Sequence, residues 1–195
     1  RALRLGFSSV MFDGSTLEYE ENIRQTREVV KMCHAVGVSV EAELGAVGGD
    51  EGGALYGHAD ESLFTDPMMA RDFVDRTGID ALAVAIGNAH GKYKGEPVLD
   101  FPRLDALRQQ AAIPLVLHGG SGISNDDFKR AIELGIHKIN FYTGMSQAAL
   151  SAVETRIANR QPLYDEFAEL LLAIEEAITD TVSEQMRIFG SAGRV

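Results

Sequence analysis

Short apolar runs rich in β-branched residues alternate along this chain with longer stretches of helical periodicity. The apolar runs predict five β-strands, at residues 5–12, 38–44, 81–86, 115–118 and 136–141. Helical periodicity covers residues 20–35, 66–77, 101–110, 125–134 and 145–159, and a final apolar-periodic stretch runs from 162 to 188. Strands that alternate with helices of this length predict right-handed βαβ units and a parallel sheet.

Glycines and polar residues mark the two ends of the predicted strands differently. Gly37, Gly78 and Gly135 each follow a helical stretch and precede a strand, where a left-handed residue ends a helix. The opposite strand ends carry residues capable of chemistry, in the segments 13–15, 43–45, 87–91, 118–122 and 140–143. Parallel α/β folds bind their ligands at the carboxyl ends of strands, so we expect a site there.

The length of the repeating unit favours a barrel. A (β/α)8 TIM barrel uses about 31 residues per unit, so five units and a C-terminal helical extension at 162–189 account for this chain as a single partial barrel domain over 1–195. Because the first apolar run starts so close to Arg1, we expect further residues upstream. The alternative is a complete five-stranded doubly wound sheet, although no GxGxxG motif follows its first strand.

Composition and charge narrow the classes of function. The 195 residues are 45% hydrophobic and 24% charged, as in one soluble globular domain, and no apolar run approaches the roughly 18 residues of a membrane span. The single Cys33 and the lack of a secretory signal favour a cytoplasmic location. A net charge of -11 disfavours nucleic acid and anionic membranes as partners, so any anionic ligand must be held locally.

Two histidines occupy adjacent strand ends. His90 and His118 each precede a glycine, and in a parallel barrel both imidazoles would point towards the mouth. A pair of such ligands suggests zinc, with cobalt or iron(II) as substitutes, and the site would need a third ligand. A single strand-end histidine would more often be structural. We assign surface or structural roles to His34, His58 and His137.

Paired acids and a glycine-rich segment follow the second predicted strand. Glu41 and Glu43 share one strand face, where they need a cation or hydrogen-bond donors, or serve as hydrogen-bonded structural acids. Residues 45–60 contain many glycines around Asp50 and Glu51. This composition predicts a lid that carries an acid into the site, and the alternative is a disordered loop without function.

The turns after the last two strands predict a phosphate site. The backbone amides of 118–122 can form an anion-binding nest, and Ser124 would cap the next helix. Residues 140–143 repeat the arrangement, which is where barrels commonly bind phosphate. Lys94 could add positive charge, although a lysine there could equally be solvated.

Several blocks together resemble a known family. They are Glu41 to Gly45, Gly48 to Glu51, Ala83 to Gly91, Pro114 to Ser121 and Lys138 to Asn140. These blocks look like the class II, zinc-dependent ketose-bisphosphate aldolases, and the tagatose-bisphosphate branch more than the longer fructose-bisphosphate branch. The resemblance implies a (β/α)8 barrel that cleaves a ketose 1,6-bisphosphate into dihydroxyacetone phosphate and an aldehyde such as glyceraldehyde 3-phosphate. It also implies a homodimer or homotetramer, and leaves open whether a monovalent cation assists.

The resemblance also implies roles for individual residues. His90 and His118 would be two of three zinc ligands, and Glu43 would bind the metal in an alternative position. Glu51 would be the lid acid that exchanges the proton of the dihydroxyacetone phosphate carbon, and Asn140 would contact the enediolate that zinc stabilises. The phosphate would be held at Gly91, Lys94, Gly119, Ser121 and Thr143.

The chain departs from the family pattern in two ways. The family's third histidine ligand follows a catalytic aspartate directly, and this sequence contains no Asp-His pair. The chain thus matches strands 4 to 8 of the family barrel and the C-terminal extension. Tyr142 is bulkier than the residue usual at its position, which leaves the sugar preference open. Two alternatives follow: a truncated, non-catalytic barrel subunit, or a metal-free phosphate-binding barrel isomerase with His90 and His118 as acid and base.

Overall fold

A computed structural model describes residues 1–48, 61–91, 93, 95–159 and 167–194. Its strands are β1 (Ser9–Phe12), β2 (Ser39–Leu44), β3 (Ala81–Val84), β4 (Leu115–Leu117) and β5 (Ile136–Ile139). All neighbouring strands pair in parallel, in the order β1-β2-β3-β4-β5. A strand lies within each of the five predicted ranges, and the predicted parallel sheet is confirmed.

The unbroken strand order distinguishes between the two predicted architectures. A doubly wound sheet reverses its strand order near the centre, as in 2-1-3-4-5. Here each strand pairs with its successor along the chain, which is how consecutive βα units of a barrel are arranged. The doubly wound alternative is therefore wrong for the described strands.

Six α-helices accompany the strands within the described ranges. They are α1 (Tyr19–His34), α2 (Pro67–Thr77), α3 (Phe101–Ala111), α4 (Asn125–Glu133), α5 (Thr143–Ala158) and α6 (Phe167–Ile188). Local chemistry fixes their ends: the Asp66 side chain accepts hydrogen bonds from the amides of Met68 and Met69 at the start of α2, and Ser124 caps α4 as predicted. No described helix is long and apolar enough to cross a membrane.

The first strand is shorter than the sequence pattern predicts. Leu3–Leu5 form a 3-10 turn that ends at Gly6, whose φ of 81° is left-handed, so the strand begins only at Ser9. The same conformation appears where it was predicted, at Gly37, Gly78 and Gly135, with φ of 71°, 73° and 109°. These glycines end helices on the side of the sheet opposite the polar strand ends.

The two faces of the sheet bury different kinds of side chain. One face packs aliphatic residues against the helices, including Val40, Leu82 and Leu115, all fully buried. Burial of one such side chain contributes about 1.5–3 kcal/mol. The other face presents Glu41 and Glu43 from β2, which lie 5% and 2% exposed. Their shared face confirms the alternation predicted from the sequence, and this polar face carries the site.

Candidate active site

His118 is the central side chain of the polar face. It directly follows β4 and is completely buried. Its Nε2 lies 2.8 Å from Glu41 Oε1 in a hydrogen bond, and its Nδ1 lies 3.3 Å from Glu43 Oε2 without forming one. Burial alone would lower the pKa of His118, but the two carboxylates outweigh burial and raise this pKa to about 9. The site therefore favours positive charge at this position.

Glu41 connects His118 to the next strand. Lys138 Nζ donates to Glu41 Oε2 over 2.9 Å and to Asn140 Oδ1 over 2.8 Å. Burial raises the pKa of Glu41, but hydrogen bonds from His118 and Lys138 outweigh it and hold the pKa below its usual range. Glu41 and Glu43 thus lie beside hydrogen-bond donors and cationic groups, as buried carboxylates require.

His90 approaches His118 from the loop after β3. The two ring centres lie 5.9 Å apart, with the ring planes inclined by 41°. The His90 amide donates to Gly48 O over 2.6 Å, and a parallel bridge joins Gly48 to Ala89. Gly48 of the predicted lid segment 45–60 therefore lies beside His90, while residues 49–60, including Glu51, lie outside the described ranges.

The two imidazoles fit part of a metal site. Two imidazoles bound to one tetrahedral metal have ring centres roughly 5 Å apart, close to the spacing of His90 and His118. The buried Nδ1 of His118 has no hydrogen-bond partner, and coordination to a metal ion would satisfy this atom. Over the described ranges, no three His, Cys, Asp or Glu side chains converge as a complete ligand set.

A pocket of about 360 Å³ opens beside the histidines at the carboxyl edge of the sheet. Sites for small molecules occupy roughly 300–1,000 Å³, so this pocket has a suitable size. It is lined by His90, Gly91, Gly119, Gly120, Ser121, Asn140, Tyr142 and Thr143. The pocket thus brings together Asn140 and four of the five residues predicted to hold phosphate. Lys94, the fifth, lies outside the described residues.

Close backbone packing shapes the floor of the pocket. Gly119 has a φ of 65°, and a Cβ there would lie 2.2 Å from the Ala89 carbonyl oxygen. Only glycine allows the β3 and β4 loops to approach so closely. Ser121 Oγ accepts a hydrogen bond of 2.9 Å from the Gly144 amide in the first turn of α5. The hydroxyl thereby ties the pocket to a helix N-terminus, whose dipole favours anions.

Two residues that bridge the β3 and β4 loops were missed by the sequence predictions. The Tyr93 hydroxyl accepts from the Ala89 amide over 2.7 Å and donates to Gly119 O over 2.9 Å. The Asn88 side chain donates to the carbonyl oxygens of Val84 and His118. Both residues lie within three positions of His90 in the sequence, and this closeness is the signal that could have identified them. Together they fix the two histidine-bearing loops relative to each other.

Two of the remaining three histidines have the surface or structural contacts expected of them. His34 Nε2 lies 2.9 Å from Asp80 Oδ2 at the surface. His137 Nδ1 lies 2.7 Å from Gly135 O, near the start of β5. His58 lies outside the described residues. Neither His34 nor His137 lines the pocket.

The fold and the site define an α/β protein of successive βα units with a ligand pocket at the carboxyl edge of its parallel sheet. A family model described as fructose-bisphosphate aldolase class-II matches residues 1–194. A fructose-bisphosphate aldolase of Geobacillus stearothermophilus is 45% identical over 193 residues, covering 99% of this chain and 66% of that protein. The chain therefore belongs to the class II fructose-bisphosphate aldolase family.

Solved structures agree with this membership. The crystal structure of the YdjI aldolase from Escherichia coli K12 matches with a TM-score of 0.84 and 42% identity, over 99% of this chain and 65% of that one. The fructose-bisphosphate aldolase of Campylobacter jejuni matches with a TM-score of 0.74 and 28% identity, over 94% of this chain and 61% of that one. The chain thus spans about two thirds of the length of these relatives.

Proposed function

We propose that the protein is a metal-dependent aldolase that cleaves a ketose 1,6-bisphosphate to dihydroxyacetone phosphate and an aldehyde such as glyceraldehyde 3-phosphate. One observation carries the proposal: His90 lines the glycine-rich pocket and also lies 5.9 Å, ring to ring, from the buried His118. A candidate metal position and a candidate phosphate position are thereby adjacent. The reaction of an aldolase on a phosphorylated ketone needs both.

His90 and His118 would hold the metal, with Glu43 as an alternative ligand. Zinc fits this donor set, and cobalt or iron(II) could substitute. When bound, the ion supplies Lewis-acid polarisation of the substrate ketone. The carboxylates of Glu41 and Glu43 next to His118 add negative charge that favours a cation there.

The pocket would hold one phosphate and the three-carbon unit attached to it. Gly91, Gly119, Ser121 and Thr143 line its walls, and α5 begins at Thr143. A helix N-terminus and a hydroxyl bind phosphate without a net positive charge, which suits a chain of charge -11. Lys94 would add one cation. Asn140 lines the same pocket and would donate to the oxygen that gains negative charge.

Cleavage of the ketose needs two proton transfers. The bond between C3 and C4 breaks, and its electron pair stays with the C3 fragment, which takes up one proton to give dihydroxyacetone phosphate. The C4 hydroxyl loses one proton as the aldehyde forms. We assign the proton on C3 to Glu51, because Gly48, three residues before it in the predicted lid segment 45–60, accepts a hydrogen bond from the His90 amide.

The buried state of His118 favours the aldolase over the metal-free isomerase. An acid–base residue must reach the proton that it transfers, yet the His118 side chain is completely buried and faces two carboxylates. A metal ligand needs no such access. The non-catalytic alternative is decided by activity, since a binding subunit would retain the pocket and not turn over substrate.

Metal content and activity of the full-length protein test the proposal. We expect about one zinc per chain, cleavage of fructose or tagatose 1,6-bisphosphate, and loss of cleavage after EDTA treatment that added zinc reverses. Activity that survives complete chelation would support the isomerase type of chemistry. A stable, metal-binding protein without cleavage of either sugar would support the binding subunit.

Two substitutions separate the proposed roles. His118→Ala should abolish both zinc content and turnover, whereas the matched surface substitution His34→Ala should preserve both. Glu51→Gln should lower turnover and leave zinc bound, because its proposed role is proton transfer. Zinc retained in His118→Ala, or lost in Glu51→Gln, would contradict the respective assignment.

A further inference from the structure

We propose that Lys138, held by Glu41, is a positioning residue that orients the side-chain amide of Asn140 towards the pocket. The inference rests on the proposed function, in which Asn140 contacts the substrate. It adds two residues, Lys138 and Glu41, to which the resemblance to the family assigned no role.

The contacts form one continuous chain of hydrogen bonds. Lys138 Nζ lies 2.9 Å from Glu41 Oε2 and 2.8 Å from Asn140 Oδ1. The other oxygen of Glu41 bonds His118 Nε2 over 2.8 Å. Glu41 is 5% exposed and cannot move to other partners without leaving its charge buried and uncompensated. The carboxylate therefore holds the ammonium group in a fixed place.

The chemistry of the ammonium group determines which way Asn140 faces. A lysine ammonium only donates hydrogen bonds, so it selects the Oδ1 atom of the amide as its partner. The planar amide then carries its NH₂ group on the other branch, and Asn140 lines the pocket. An NH₂ group is a donor, which is what a substrate oxygen of growing negative charge requires. The reversed amide would present an acceptor and repel that oxygen.

An irregularity in β5 brings Lys138 to this position. Leu115 of β4 pairs with Ile136, but the next residue, Val116, pairs with Lys138, so the register shifts by one residue at His137. Val116 and His118 are two residues apart and therefore lie on the same face of the sheet. The shift places Lys138 and Asn140 on this face as well. With regular pairing, His137 would occupy that row instead. The bulge is thus the structural reason for the contact between Lys138 and Glu41.

A double-mutant cycle tests whether Lys138 acts through Asn140. Lys138→Met in the full-length protein should lower kcat about tenfold, with KM and zinc content little changed, because it removes the ammonium and keeps the side-chain length. In an Asn140→Ala background, the same substitution should change kcat less than about twofold. Equal effects in the two backgrounds would overturn the proposal. Lys129→Met, which breaks a surface ion pair with Asp126, is the matched control and should leave kcat unchanged.

A second measurement decides the inference even if the protein cleaves no ketose bisphosphate. In ¹⁵N spectra, the Asn140 side-chain amide signal is identified by its loss in Asn140→Ala. We expect this signal to shift in Lys138→Met and to remain in place in Lys129→Met. An unchanged signal in Lys138→Met would overturn the inference. Absence of activity in the unsubstituted protein would count against the proposed function alone.

Discussion

The hydroxyl of Tyr93 should contribute strongly to stability, because this one oxygen atom forms hydrogen bonds to both histidine-bearing loops. Tyr93→Phe removes an acceptor for the fully buried Ala89 amide and a donor to the Gly119 carbonyl. Burial of the phenol raises the pKa of Tyr93 to about 12, so the hydroxyl stays protonated at neutral pH. Each polar group left without a partner costs about 1–3 kcal/mol.

The Ala89 amide is fully buried, whereas Gly119 is only half-buried and its carbonyl costs about 1 kcal/mol, so the expected loss in free energy of unfolding is about 2–4 kcal/mol. For a chain of this length, such a loss lowers Tm by on the order of 5–15 °C. Urea unfolding of the two proteins measures the difference directly. Tyr142→Phe is the matched control, since Tyr142 is 59% exposed and its hydroxyl forms no hydrogen bond within the described residues. A loss below about 0.5 kcal/mol in Tyr93→Phe would refute the reasoning.

Two further substitutions test the fold, one beside the pocket and one at the opposite end of the sheet. Gly119→Ala should lower the free energy of unfolding by more than about 3 kcal/mol, because the new Cβ would lie 2.2 Å from a backbone oxygen. Gly37 has a φ of 71° and open space around it, so Gly37→Ala should cost about 1 kcal/mol. Thermal unfolding measures both losses. Similar costs at the two glycines would contradict the close approach. Burial raises the pKa of Asp80, but hydrogen bonds from His34 and the Val40 amide outweigh it and lower the pKa. Because this pKa is lowered, the Asp80 carboxylate stabilises the protein above about pH 4, and the stabilisation is lost at lower pH. The difference in free energy of unfolding between the unsubstituted protein and Asp80→Asn should therefore be constant above about pH 5 and shrink below about pH 4. Urea unfolding from pH 6 to pH 3 measures it, and a difference independent of pH would disprove the assignment.

Much of the fold was predictable from local chemistry. Helix α2 starts where Asp66 and Pro67 supply a cap and a fixed φ, and it ends at Gly78. Strands β3 and β4 were predictable because both of their faces are buried, which makes their sequences continuously apolar.

The error in the first strand has a physical reason. Residues 5–8 were included because Leu5 and Phe7 continue the apolar run, yet these side chains are 66% and 56% exposed. Gly6 adopts a left-handed conformation that turns the chain and delays pairing until Ser9. Hydrophobicity alone does not reveal such a turn, whereas the glycine between two large apolar residues could have indicated it.

The candidate site also has a part that was predictable from the sequence and a part that was not. His90, His118 and Asn140 were predictable because each stands at a strand end, and parallel strands bring such ends to one edge. The contact between Lys138 and Glu41 was not predictable, because it depends on the one-residue register shift between β4 and β5. Sequence periodicity gives the face of a residue only while the pairing stays regular.

The short bridge between Gly48 and Ala89 has a consequence for the orientation of the His90 ring. Gly48 accepts a 2.6 Å hydrogen bond from the peptide group that carries this ring, so a change in the backbone at Gly48 shifts the imidazole relative to His118. A substitution at Gly48 would therefore alter the proposed metal binding as well as the rate of turnover.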